Sequence, residues 1–128
     1  MTRTIHIGCG AGFANDRPDA ALRLAKDLAG RNGQRYLMLE LLAERTLAEA
    51  QLRKRADPAL GYAARLFDFI EPILEICLEH RIPIITNGGA ANPQAAARRC
   101  AGCSAHVTSR RASPACWATT CCRLTPQR

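Results

Sequence analysis

The stretch Thr4-Ile5-His6-Ile7-Gly8-Cys9-Gly10-Ala11-Gly12, followed by Asn15-Asp16-Arg17-Pro18, decides how the chain reads. The β-branched run Thr4-Ile5-His6-Ile7 has the composition of a short buried strand, and the glycines after it read as a loop. His6, inside that run, reads as a core histidine with its polar atoms satisfied. Proline in a first helical turn with an aspartate just before it marks a helix start. Ala21, Leu22, Leu24, Ala25 and Leu28 then give that helix an apolar face as far as Gly30. Strand, loop and helix in succession form the unit from which parallel sheets are built.

Outward from this unit the alternation continues. Arg31-Asn32-Gly33-Gln34 is a turn, and Tyr36-Leu37-Met38-Leu39-Glu40 is a second strand ending in a carboxylate. Leu41 to Arg55 reads as a helix, with Glu49 four residues before Arg53 on one face. Asp57-Pro58 breaks it. Gly61 to His80 repeats apolar residues at spacings of three and four, so a further helix is expected there, kinked or split at Pro72. Ile82-Pro83-Ile84-Ile85-Thr86 is a third strand, and Asn92-Pro93 opens a helix through Gln94–Ala97. The fold class is therefore α/β, a fragment of a parallel-sheet, Rossmann-like domain with three strands alternating with helices and an irregular C-terminal tail.

Ligands of such sheets bind at the carboxyl ends of the strands. The first strand brings Gly8 to Gly12 there, the second Glu40, and the third Thr86, Asn87 and Gly88-Gly89. The glycine segment resembles a dinucleotide fingerprint, but Phe13 stands where the third glycine belongs, and Glu40 follows too far on for the ribose-binding acid. A glycine turn forced by close packing is the better reading, and no cofactor is assigned. Asp16 and Arg17 read either as a cap and a surface charge or as an acid and an anion clamp. Glu40 and Glu44 would share a helix face if the helix began near Glu40, and could then serve acid/base chemistry or a hard cation. Asn87 and Asn92 flank a Gly-Gly-Ala turn, where turn and cap chemistry is the plain alternative. Cys9, in a glycine loop before a helix, has the setting of an activated thiol but no base close by in sequence.

Composition limits the function classes. The 128 residues carry a net charge of +7, but residues 1–97 hold 12 basic and 11 acidic side chains, whereas residues 98–128 hold 6 basic and none acidic. A uniformly basic nucleic-acid-binding domain does not fit this distribution. The longest apolar run, Ile82–Thr86, is far short of the roughly 20 residues of a membrane span. With no charged-then-apolar leader, the expectation is a cytoplasmic, reduced protein. Five of the 7 Cys lie in the tail, at Cys100, Cys103, Cys116, Cys121 and Cys122. An odd number cannot pair completely within one chain, so the thiols are free or bind metal. A zinc-bound, nucleic-acid-binding tail using these cysteines, His106, Arg110 and Arg111 is the alternative function. It lacks finger spacing in its second half, and no metal ligand is assigned.

The motifs together resemble the acyclic terpene utilisation family (AtuA-like proteins). They are Gly8-x-Gly10-Ala11-Gly12-Phe13-x-x-Asp16-Arg17, then Glu40-x-Leu42-Ala43-Glu44-Arg45-Thr46, Ala50-Gln51-Leu52-Arg53-Lys54 and Asp57-Pro58-x-x-Gly61-Tyr62, and last Ile85-Thr86-Asn87-x-Gly89-Ala90-Ala91-Asn92-Pro93. The resemblance implies a role in catabolism of acyclic terpenoids of the citronellol and geraniol type, and leaves the reaction open. It also implies that Gly10, Gly12, Asp16, Arg17, Glu40, Glu44, Thr46, Asn87 and Asn92 line one site. Asp16, Glu40 and Glu44 are the catalytic candidates, and the partner is a small terpenoid or its acyl-coenzyme A thioester.

The resemblance fades near Arg98, where composition changes, which divides the chain into 1–98 and a tail of 99–128. The tail can be re-read with the genetic code, taking the third base of one codon with the first two of the next. Cys116-Trp117, Trp117-Ala118 and Cys121-Cys122 then give Leu, Gly and Leu without any assumption. With G at the free third positions the string is Leu-Gly-Asp-Asp-Val-Leu, a strand end followed by an acidic turn. A frameshift near residues 98–100 is therefore expected, leaving a truncated, marginally folded and inactive polypeptide with a disordered tail.

Overall fold

The computed structural model describes residues 4–108, 115–116 and 122–126. Its elements run β1 (Ile5–Ala11), α1 (Pro18–Ala29), β2 (Gln34–Leu39), α2 (Glu44–Ala56), α3 (Leu66–Glu79), β3 (Ile84–Thr86), α4 (Pro93–Thr108), β4 (Ala115–Cys116) and β5 (Cys122–Pro126). The sheet order is β1-β2-β3-β5-β4. β1, β2 and β3 are mutually parallel, with Ile7 opposite Tyr36 and Leu39 opposite Thr86. β5 joins β3 antiparallel. The α/β class and the three alternating parallel strands are those expected from the sequence.

Because strand order follows chain order, right-handed crossovers place α1 and α3 on the same face of the sheet. The burial pattern agrees. Gly8, Gly10, Leu37, Leu39, Ile84 and Thr86 point to the covered face and are buried. On the other face Ile5 and Ile7 are 54% and 74% exposed, and Tyr36, Met38 and Ile85 are half-buried. The core lies between sheet and helices, around Leu37, Leu39, Phe69, Ile70, Ile73 and Ile84.

Besides shifts of up to two residues in β2 and β3, four elements differ from the sequence reading, each for a physical reason. β1 runs through Gly8 and Gly10 to Ala11, so these glycines belong to the strand and not to a turn. A Cβ on Gly10 would stand 3.0 Å from the Cβ of Ala21 and 3.2 Å from its Cα, so the missing side chain lets α1 lie close on β1. α2 starts at Glu44 and not at Leu41, because Leu41 continues from β2 into the core at 1% exposure. α3 starts at Leu66 and passes Pro72 without splitting. Pro72 is solvent-exposed, so the hydrogen bond it removes is on the hydrated side, while Phe69, Ile70, Ile73 and Leu74 bury the other. α4 continues across position 98 to Thr108, with Ala95, Ala96 and Cys100 buried against the core.

Between α2 and α3 the chain folds back through Gly61, whose φ of +105° favours glycine. A Cβ there would also stand 2.7 Å from the Cβ of Lys54. This turn returns Tyr62 and Arg65 to the side of α2.

Candidate functional site at the carboxyl edge of the sheet

The ends of β2 and β3 are tied together by two side chains. Asn87, just after β3, donates from Nδ2 to Glu40 Oε1 at 2.7 Å, and its Oδ1 accepts the Leu41 backbone N–H at 2.8 Å. Glu40 Oε1 also accepts the Leu42 N–H at 3.0 Å. Glu40 is half-buried, and its Oε2 has no hydrogen-bond partner among the described residues. The result is a carboxylate fixed through one oxygen and available through the other, at the edge where parallel sheets present their ligands. Such a group can accept a proton or a substrate hydroxyl.

The end of β1 is arranged differently. Asp16 Oδ2 accepts the Gly12 N–H at 3.0 Å, and its Oδ1 accepts the Arg17 N–H at 2.8 Å. These backbone donors hold the Asp16 carboxyl below its ordinary value of 3.8. The chain's own carboxylate therefore occupies the place at Gly12 that a ligand phosphate would take. Arg17 is turned to Asp19, with Nε at 3.0 Å and Nη2 at 2.7 Å from its two oxygens. This pairing raises the Arg17 pKa.

Other sequence candidates take separate places. α2 begins at Glu44, so Glu40 precedes the helix and the two carboxylates do not share a helical face. Thr46 closes the first turn of α2, its Oγ1 accepting from Ala43 N at 2.7 Å and donating to Ala43 O at 2.9 Å. Asn92 is buried and fully engaged. Its Nδ2 donates to Pro58 O and Leu60 O at 2.8 and 2.7 Å, and its Oδ1 accepts from Ala95 N at 3.3 Å. Cap and loop chemistry thus describes Asn92. Gly10 is covered by α1, whereas Gly12 is exposed beside Asp16. Glu40 with Asn87, and Gly12 with Asp16, are the clusters that the fold assembles, joined by the Glu40 N–H donating to Ala11 O at 2.9 Å.

Beside this edge lies a cleft of about 130 Å³ between the 14–15 segment, α2 and residues 62–65. Arg45, Arg53, Arg65, Thr46, Glu49 and Tyr62 line it. Arg65 Nη1 donates to Asp16 O at 3.3 Å, which links the cleft to the end of β1. Arg53 Nη1 donates to Tyr62 O at 3.1 Å, and the guanidinium lies 5.9 Å from the Tyr62 ring centre. Of the residues expected from sequence only Thr46 lines this cleft. Two of the three arginines, Arg45 and Arg53, are signalled by their spacing with Glu49, four apart on one helical face, whereas Arg65 is not.

The family model of the acyclic terpene utilisation family protein AtuA matches residues 5–111. The chain belongs to this AtuA family. No curated protein and no solved structure matches it. The AtuA match takes in both the carboxyl edge and the cleft, and runs through α4.

Among the described residues of this AtuA-family chain, no group of three or more His, Cys, Asp or Glu is placed to hold a metal ion. Cys100 is buried in the core and burial raises the pKa of Cys103, so both are packed along α4. The side chains of His106, Cys116, Cys121 and Cys122, and all of Arg110 and Arg111, which the zinc reading needs, lie outside the described residues. No helix among the described residues is long and apolar enough to cross a membrane.

Proposed function

We propose that this domain acts on an acyclic terpenoid, as its acid or an acyl thioester, with the Glu40 carboxylate as the proton-transferring group at the carboxyl edge. The AtuA family membership supports the substrate class. The observation that carries the reading is the Glu40–Asn87 bond of 2.7 Å, which holds one carboxylate oxygen and leaves the other for substrate. Asp16 serves the same site by ordering the Gly12 segment. Glu44, exposed at the start of α2, is assigned no part in the chemistry.

The test is incubation of the in-frame product, which keeps Glu40 and Asn87, with citronellic and geranic acids and their coenzyme A thioesters, followed by mass spectrometry of the products. Turnover should fall at least a hundredfold in Glu40→Gln, in keeping with loss of a general acid or base. Unchanged turnover in that variant would remove Glu40 from the reaction.

The frame of the tail is a separate proposal. The Leu-Gly-Asp-Asp-Val-Leu string recovered by the one-base shift supports an out-of-frame segment in the tail, and the family match as far as residue 111 argues for a start later than the residue 99 that composition suggests, with activity belonging to the in-frame product. Resequencing the locus through codons 95–130 tests it: an in-frame tail with no family-like shifted reading would discard it.

A further inference from the structure

The charges of the α2 cleft do not balance. Its lining includes Arg45, Arg53 and Arg65 but a single acid, Glu49. Arg45 is satisfied by Glu49, with Nε 2.8 Å from Oε1. Arg65 is held by Asp68 at 3.0 Å. Arg53 is half-buried and has no carboxylate partner among the described residues. One of its N–H groups binds Tyr62 O, and a guanidinium has five donors in a planar fork. Leaving such a cation uncompensated in a cleft is unfavourable, and an oxyanion gripped by two parallel N–H groups relieves it.

The guanidinium is also held in place before any ligand arrives. Tyr62 lies under it and is itself fixed through its hydroxyl, which accepts from Arg99 Nη1 at 2.9 Å. Tyr62 meets Phe67 edge to face at 5.4 Å. A prepositioned donor fork loses little freedom on binding. Within the lining three guanidiniums stand against one carboxylate, a balance that suits a dianion better than a carboxylate. The glycine segment at Gly12 does not compete for it, since Asp16 fills that position and Arg17 is bound to Asp19.

We propose that this cleft is an anion subsite for a dianionic phosphate group, with Arg53 as its principal ligand and Arg65 and Arg45 completing the positive wall. It rests on the function proposed above only for what the phosphate is attached to. The phosphate is either free or carried by a nucleotide thiol such as coenzyme A, whose 3′-phosphate is a monoester.

Isothermal titration of the full chain with inorganic phosphate, coenzyme A and dephospho-coenzyme A at low salt tests the subsite. Phosphate should bind, and Arg53→Gln should weaken it at least tenfold. Ala64→Glu places a carboxylate in the cleft at an exposed position, and should weaken phosphate equally without removing an existing contact. Coenzyme A binding tighter than both phosphate and dephospho-coenzyme A assigns the carrier, and equal binding of phosphate and coenzyme A assigns the free ion. Absence of phosphate binding, or binding that survives both variants, overturns the proposal. Loss in Arg17→Gln alone would overturn it in favour of the Gly12 segment. Turnover of terpenoids is read separately, so failure of the Glu40 assignment leaves this result standing, and the reverse holds too.

Discussion

Asp16 shows how one short side chain changes the meaning of a motif. A glycine segment after a strand invites a phosphate, yet here the Gly12 amide already has an anion, supplied four residues on. Its folded-state pKa is depressed, so its contribution to stability is complete above the ordinary carboxylate value and is lost as pH falls through the lower, folded one. A carbon-detected titration should place the Asp16 midpoint below 3.8, and Asp16→Asn should flatten the pH dependence of stability below pH ~4. A midpoint at or above the ordinary value would mean that these amides do not hold the carboxylate. Glu40 and Asn87 were legible as edge residues because they end β-branched and apolar runs. Their bond was not legible, since it joins residues 47 apart in sequence.

At the level of elements, helices and strands could be read from apolar periodicity, whereas their limits depended on contacts between elements. Gly8 and Gly10 look like a turn because glycine favours turns, but the requirement is set by α1 lying against β1. Gly10→Ala should cost about 1–3 kcal/mol, since the new methyl meets, besides Leu39 Cδ2 at 3.1 Å, the Cβ and Cα of Ala21 at 3.0 and 3.2 Å, which cannot swing aside. Gly12→Ala, whose nearest atom is Asp16 Oδ2 at 3.8 Å, should stay within ~0.5 kcal/mol. Urea denaturation of the two variants measures the contrast, and equal effects would contradict close packing as the role of Gly10. The start of α2 is set in the same way. Leu41 and Leu42 continue the apolar pattern of the helix, but the first of them is a core residue delivered by β2. The Arg53 cleft was hidden because it forms only when the Gly61 turn brings Tyr62 and Arg65 back beside α2.

Over the whole molecule, one sheet face carries the helices, and the other shows Ile5 and Ile7 to solvent. Small domains bury a limited fraction of their surface, and an exposed apolar sheet face with an open β1 edge favours association. Stability can be followed with the chain's own thiols. Cys77 is buried on α3 and its pKa is pushed up to about 12, while Cys9 is exposed on β1. Iodoacetamide should therefore modify Cys9 in the native protein and reach Cys77 only as fast as the core opens. Equal rates at the two sites would show that the core does not hold together. Rates separated by orders of magnitude would show a cooperative fold in spite of the bare face.

The order β1, β2, β3 in space is also the order in which the ribosome releases them. Each of these three strands adds to the edge left by the one before it and none has to insert between two already paired, so β1, α1 and β2 can assemble while α3 is still being synthesised. That leaves the nascent β1–β2 pair waiting for Phe69 and Ile73, and makes the interval between translation of Leu39 and Ile73 the time at which a chaperone would matter most.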